Sequence, residues 1–303
     1  RAMPENEKPP ARRVDHYLLI AARPPSLEFE VFLLSGIITV DQEHCIRCGI
    51  CAKVCPSCIL EMTENGPVCI NDMSCMSCGH CVSVCPKGVL QNSRVPYEET
   101  EPIPMPVLDE KTAYNFLRMR RSIRNFRDEL VSEEKMTQLL QVAQFAPTAA
   151  NSQGLYYIVV SDRALIRQIT DCVADWMQLE VDNEGPRRRY FRKVLETYRD
   201  KKIDIIGRDA KQLVFALARR LNVTGISNWE QASAYIELYA PTIGLGTTIM
   251  GFIQTCAQSN YQPMRDLLNV PAKQVLVGTL LVGYPKYRYN RLVPRQHLKV
   301  EFR

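Results

Sequence analysis

Residues 45–60, CIRCGICAKVCPSCIL, and residues 75–90, CMSCGHCVSVCPKGVL, are one unit written twice at an offset of 30 residues, with eight of sixteen positions identical. Each copy has the form C-x2-C-x2-C-x3-C-P, and ten of the chain's twelve cysteines lie between Cys45 and Cys85. A cubane iron–sulfur cluster needs four thiolates around one body. Three closely spaced cysteines wrap three corners, and a distant one closes the fourth. Zinc is the bland alternative, because C-x2-C pairs also build structural zinc sites, but two complete four-cysteine copies favour clusters. Gly49 and Gly79 let the backbone come close to the cluster, and Pro56 and Pro86 fix the chain as it leaves the fourth cysteine. The spacing is that of ligands rather than disulfides, which favours a reducing, cytoplasmic compartment.

This run resembles that of the bacterial two-cluster ferredoxins, in which the fourth cysteine of each copy ligates the other cluster. The resemblance assigns Cys45, Cys48, Cys51 and Cys85 to one [4Fe–4S] cluster, and Cys75, Cys78, Cys81 and Cys55 to a second. Cys58, Cys69, Cys172 and Cys256 fall outside both motifs and are expected to pack as small hydrophobes. His44 and His80 are expected to pack near a cluster or face solvent rather than to transfer protons.

Around this module the chain of 303 residues, 46% apolar and 23% charged, has room for two compact domains. Residues 1–35 read as an extension outside the fold. Their cationic start and the apolar Tyr17–Ala22 run are too short and too closely flanked by charge for a secretory signal. No stretch approaches the roughly 20 apolar residues that span a bilayer. A ferredoxin-like domain is expected over residues 36–95, a proline-containing linker over 96–109, and a second domain over 110–303. There the pattern changes to helices and buried strands, an α+β layer architecture. Ser132 is a candidate N-cap for a helix bearing Met136, Leu139, Leu140 and Ala143 on one face and ending near Pro147. Residues 155–160 and 274–282 read as strands, and 209–222 and 230–243 as helices.

In the second domain, Arg120-Arg121-Ser122-Ile123-Arg124-Asn125-Phe126 places three guanidiniums and a hydroxyl within five residues, a setting suited to a phosphate monoester. Pro147-Thr148-Ala149-Ala150-Asn151-Ser152-Gln153 follows, then Gly244-Leu245-Gly246-Thr247 with Gly251, then Gly283-Tyr284-Pro285 leading to Arg291 and Pro294. In this order the four segments resemble the motifs of the nitroreductase family of FMN proteins, over residues 112–300. The resemblance implies a mixed sheet flanked by helices, and a homodimer with FMN at the subunit interface. It places Arg120, Ser122, Arg124 and Arg291 at the FMN phosphate with Arg121 nearby, Asn151 at the ribityl chain or ring edge, Gln153 close to the flavin, and Gly246 and Thr247 against it through backbone. The segment from Trp176 to Asn228 would cap the active site. Its basic cluster, Arg187, Arg188, Arg189, Arg192 and Lys193, is either a solvated face or a contact for an acidic donor or anionic substrate.

The formal charge is +5. Two clusters and one FMN phosphate, each near −2, would bring the loaded protein to about −1, so the basic excess mostly neutralises its own cofactors. No basic recognition element indicates nucleic acid. No G-x-G-x-x-G follows a strand, so a separate nucleotide domain is not expected, although NAD(P)H can stack directly on FMN. The leading expectation is an iron–sulfur flavoprotein that takes electrons from a ferredoxin or NAD(P)H and reduces a small oxidised organic compound, with the chemistry carried by FMN. The alternative is a non-catalytic electron carrier or redox-sensing subunit serving a partner protein.

Overall fold

A computed structural model describes residues 36–104 and 108–303. The extension over residues 1–35 and the middle of the linker, residues 105–107, lie outside the described residues.

The cysteine-rich half is built from short elements. Strand β1 (Ile38–Val40) pairs antiparallel with β4 (Leu90–Asn92), and β2 (Leu60–Thr63) forms a hairpin with β3 (Gly66–Cys69). Helices α1 (Ile50–Val54) and α2 (His80–Ser83) occupy equivalent places in the two repeats. Ile38, Ile59, Leu60, Cys81, Val82 and Leu90 form the small core. The duplication is visible in the backbone itself. Arg47 and Ser77 have φ of 56° and 51°, Gly49 and Gly79 have 71° and 72°, and Cys58 and Gly88 have 51° and 63°. Gly49 and Gly79 thus serve a left-handed turn that opens each helix, where a side chain would be strained.

In the larger half, β5 (Leu155–Val160), β6 (Gln212–Arg219), β8 (Gln274–Gly283) and β7 (Gly246–Thr248) form one sheet in that order. Where the resemblance implied a mixed sheet, each of its three described pairings is antiparallel. The long connections reverse direction between paired neighbours instead of crossing over between parallel ones. Helices pack on both faces. Along β6, Leu213, Phe215 and Leu217 enter one core with α5 (Arg163–Asp182), α6 (Arg188–Leu195), α8 (Gly251–Gln258) and α9 (Gln262–Leu267). The alternate residues Val214, Ala216 and Ala218 enter the other with α4 (Glu133–Gln141) and α7 (Gly225–Tyr239).

This two-sided burial corrects the helical reading of residues 209–222. The run from Leu213 to Ala218 is apolar at every position because both faces of a central strand are covered, and so it carries no alternation to distinguish it from a buried helix. It also shortens the expected cap over 176–228, since β6 lies in the middle of that segment. The expected strands over 155–160 and 274–282 are β5 and β8, and the expected helix over 230–243 lies within α7 and the turn that follows it. Ser132 caps α4 by accepting from the Lys135 amide at 3.3 Å, and α7 continues into a 3-10 turn over Ala240–Ile243. Helix α3 (Glu110–Met119), capped by Asp109, buries no residue in this chain. Among the described residues no helix is long and apolar enough to cross a membrane.

Phe215 has no solvent exposure. Phe215→Ala is therefore expected to destabilise the larger domain by about 3–5 kcal/mol, read from the urea midpoint of the α/β half.

Candidate cofactor sites

Cys45, Cys48 and Cys51 of the first repeat line one cavity with Cys85 of the second. Burial raises the Cys51 thiol above its ordinary value, and Cys48, Cys85 and Cys45 push it further as like-charged neighbours. Cys81 is pushed up to about 11, first by burial, with Cys75 and Cys78 adding to it. Cys55 and Cys75 pack half-buried against the same small core. Among the described residues no group of three His, Cys, Asp or Glu could hold a single ion. A bulky body that draws ligands from both repeats fits this arrangement, and cationic iron would favour the thiolate forms that burial disfavours.

Cys75 differs from its counterpart Cys45 in having two donors at its sulfur. The Ser77 amide lies at 3.4 Å and the Asn92 side-chain amide at 3.6 Å. Asn92 is 1% exposed. No cysteine spacing points to it, and only the β1–β4 pairing brings it there. Among the four remaining cysteines, Cys172 and Cys256 are buried as expected, and Cys69 donates to Asp72 at 3.0 Å. Cys58 corrects the packing expectation: it is exposed, because it occupies the left-handed turn where the second repeat has Gly88. His44 and His80 both face solvent, bonded to Asp41 and to the Cys78 carbonyl.

In the larger half, residues 123–127 lie between two strand ends. The Ile123 amide donates to Thr247 at 2.9 Å, Arg127 to Tyr284 at 2.8 Å, and Lys286 to Asn125 at 2.9 Å. A Cβ on Gly246 would collide with Ile123 and Pro285, so the close approach of these segments requires glycine. Arg120 contacts Ser122 and Glu237 of α7, both at 3.4 Å. Glu237 was not anticipated. Its side chain is 12% exposed, and burial lifts its carboxyl above the usual range while Arg120 and Arg124 pull it down. Arg121 lies over the Tyr289 ring at 5.3 Å, which draws the C-terminal loop toward the motif; Arg291, two residues on, is exposed.

Arg124 opens onto a cavity of about 600 Å³ that also receives Arg187, Arg208, Tyr190, Met250 and Phe252. Arg187 stacks over Trp176 and Phe191. Arg208 has a left-handed backbone, and its Nε is buried with no hydrogen-bond partner. Three guanidiniums, aromatic walls and an unused buried donor fit a planar cofactor with acceptor edges and an anionic tail. All five residues of the basic cluster are exposed, but only Arg187 lines this cavity and stacks on its aromatic wall. No sequence motif marked Arg208, which arrives from the turn before β6.

The segment Thr148–Gln153 is held by Asn228 of α7, 2% exposed, which accepts from the Ala149 amide and donates to Ser152. Ala150, Asn151 and Gln153 all have φ between 43° and 50°, a conformation that costs non-glycine residues roughly 1–3 kcal/mol each and clusters at functional sites. Asn151 donates to the Met76 and Ser77 carbonyls of the second cysteine repeat at 3.2 and 2.9 Å, and accepts from Gln153 at 3.2 Å. Within one chain, then, Arg120, Ser122, Arg124, Gly246 and Thr247 come together, whereas Asn151 and Gln153 hang from the other end of α7. Asn228 and Glu237 are separated by about 13 Å along the axis at the usual helical rise.

A cavity lined by cysteines of both repeats, together with such a pocket in the same chain, points to an iron–sulfur flavoprotein oxidoreductase. The nitroreductase family profile matches residues 117–284, and a 4Fe-4S dicluster domain profile matches residues 37–86. The chain belongs to the nitroreductase family, with a dicluster domain ahead of the family domain, and is an FMN-dependent enzyme with [4Fe–4S] clusters. It is similar to an FMN reductase (NAD(P)H) of Bacillus subtilis, 26% identical over 55% of this chain and 64% of that protein. It is also similar to a 5,6-dimethylbenzimidazole synthase of Rhodospirillum rubrum, 27% identical over 55% and 79%. A crystal structure of a nitroreductase with bound FMN from Bacteroides fragilis shares the fold, with a TM-score of 0.52, 13% identity, and coverage of 64% of this chain and all of that one.

Two outcomes are expected. Asn92→Leu removes a donor from the Cys75 sulfur and should lower the potential of one of the two clusters in an EPR-monitored redox titration, leaving the other unmoved. Glu237 has a raised folded pKa, so the stability it contributes is present below its unfolded value of 4.5 and is lost as pH rises through the folded value. Glu237→Gln should flatten the pH dependence of the FMN-free melting temperature across that window.

Proposed function

We propose that the enzyme passes electrons from a ferredoxin or NAD(P)H through its two clusters and FMN to a small oxidised organic acceptor: a nitro compound, quinone, activated alkene or halogenated compound. The observation that carries this reading is that Arg124, Arg187 and Arg208 line one cavity suited to FMN, in the same chain as a cavity lined by cysteines of both repeats.

The clusters carry electrons singly, whereas FMN takes them singly or in pairs and delivers them in pairs. Cys45, Cys48, Cys51 and Cys85 hold one cluster, and Cys75, Cys78, Cys81 and Cys55 the other. Arg120, Ser122, Arg124 and Arg291 bind the FMN phosphate through charge-assisted hydrogen bonds, with Glu237 orienting Arg120. Gly246 and Thr247 contact the cofactor through backbone, and the unused Arg208 Nε donates to an acceptor on the ring edge. Tyr190 and Phe252 wall the cavity and limit water. The exposed apolar side of α3, with Tyr114 62% and Leu117 57% exposed, supports a homodimer in which Asn151 and Gln153 of one protomer complete the pocket of the other.

Anaerobic reduction with ferredoxin, then with NADPH or NADH, followed at the cluster and flavin absorbances before a nitroaromatic is added, tests the scheme. Reoxidation of both chromophores at catalytic rates is expected, and a reduced flavin that no small acceptor reoxidises would overturn it. Arg120→Ala should weaken FMN by about 1.5–3 kcal/mol, the range for a hydrogen bond to a charged group, in equilibrium dialysis of the released flavin.

A further inference from the structure

The two cysteine repeats match in sequence and in backbone, yet they have different neighbours. In the first repeat the loop between the leading cysteines, Ile46-Arg47, leaves Ile46 56% exposed, and Cys48 is exposed as well. In the second repeat the equivalent loop, Met76-Ser77, carries the two carbonyls that Asn151 grips at 3.2 and 2.9 Å. Two consecutive carbonyls accept from one amide nitrogen, which fixes the orientation of that loop. Asn151 itself sits in a left-handed turn that Asn228 and Thr148 hold in place. The second repeat adds an inner layer of its own: Arg94 donates to Ser77 at 3.3 Å, and Asn92 and the Ser77 amide reach the Cys75 sulfur.

We infer that the cluster held by Cys75, Cys78, Cys81 and Cys55 is the one that hands electrons to the flavin, and that Asn151 is the positioning residue that couples them. The inference rests on the proposed electron route and adds its direction: the cluster held by Cys45, Cys48, Cys51 and Cys85 faces outward and receives electrons from the donor. In each transfer the cluster beside Asn151 loses one electron and is oxidised, while FMN gains one. Two such transfers, with two protons drawn from solvent, would reduce FMN fully, both electrons coming from the donor, a reduced ferredoxin or NAD(P)H. Ser77, Cys75 and Asn151 form a continuous bonded path from the Cys75 sulfur to the segment that, in the proposed dimer, completes the partner's flavin pocket. The first repeat has no counterpart to this path among the described residues.

The test uses the holoenzyme and asks which cluster the flavin senses. A paramagnetic cluster speeds the spin relaxation of a nearby flavin radical, read as microwave power saturation in EPR. Cys78→Ser is expected to abolish that enhancement, and Cys48→Ser to preserve it. The reverse pattern, or equal loss in both, overturns the inference. If a ligand variant fails to retain its other cluster, Asn151→Ala decides the matter in stopped flow with reduced ferredoxin. Clusters that bleach at the wild-type rate, followed by a flavin that lags, support the coupling role, and an unchanged interval between the two signals overturns it. Wild-type protein that lacks flavin, or whose flavin never responds to the clusters, would instead sink the electron route itself.

Discussion

The packing of α7 across one face of the sheet is the constraint on which the site depends. Trp229, Ala232 and Ile236 bury one stripe of this helix against Val214, Ala216, Val277 and Leu280, and the Trp229 indole donates to Gln254 of α8 at 3.1 Å. So seated, the helix offers its two ends as anchor points for other segments. Asn228 holds the Thr148–Gln153 segment at one end, and Glu237 holds Arg120 at the other. Neither residue belongs to a recognisable motif, yet between them they hold Arg120 and the segment that carries Asn151 and Gln153.

The duplicated cysteine unit shows how a symmetric sequence acquires an asymmetric role. Both copies make the same left-handed turns and the same short helix, because cluster ligation imposes the same geometry twice. The difference comes from outside the module, from an amide side chain that meets only one of two equivalent loops. Low dielectric at such a contact strengthens the hydrogen bonds and rigidifies the loop, which is what electron transfer between fixed centres requires. The cost is backbone strain at Ala150, Asn151 and Gln153, offset by the buried hydrogen bonds of Asn228.

The charge distribution follows the same logic. The cavity near Arg124 gathers three guanidiniums that would repel one another without an anion, and one of them keeps a buried donor unpaired. Among the described residues Glu180 pairs with Arg187 at 3.5 Å, and Glu237, whose carboxyl burial lifts above the usual range, attracts Arg124. A bound phosphate adds a further counter-charge for these guanidiniums.

Both cysteine units, the arginine run and the Ser132 helix cap could be read from the amino-acid order, because each is a local pattern whose chemistry depends on spacing along the chain. Strand β6 could not, since burial on both faces erases the periodicity that separates strand from helix. Arg208, Glu237, Asn92 and Asn228 were equally silent: each is an ordinary polar residue until the fold sets it against a distant partner. The sequence by itself determined which cofactors the protein is equipped to bind, through residues that ligate as local groups. Only the tertiary structure decided which cluster neighbours the flavin segment, because that depends on a contact between residues 74 and 75 positions apart, and no local pattern encodes such a contact.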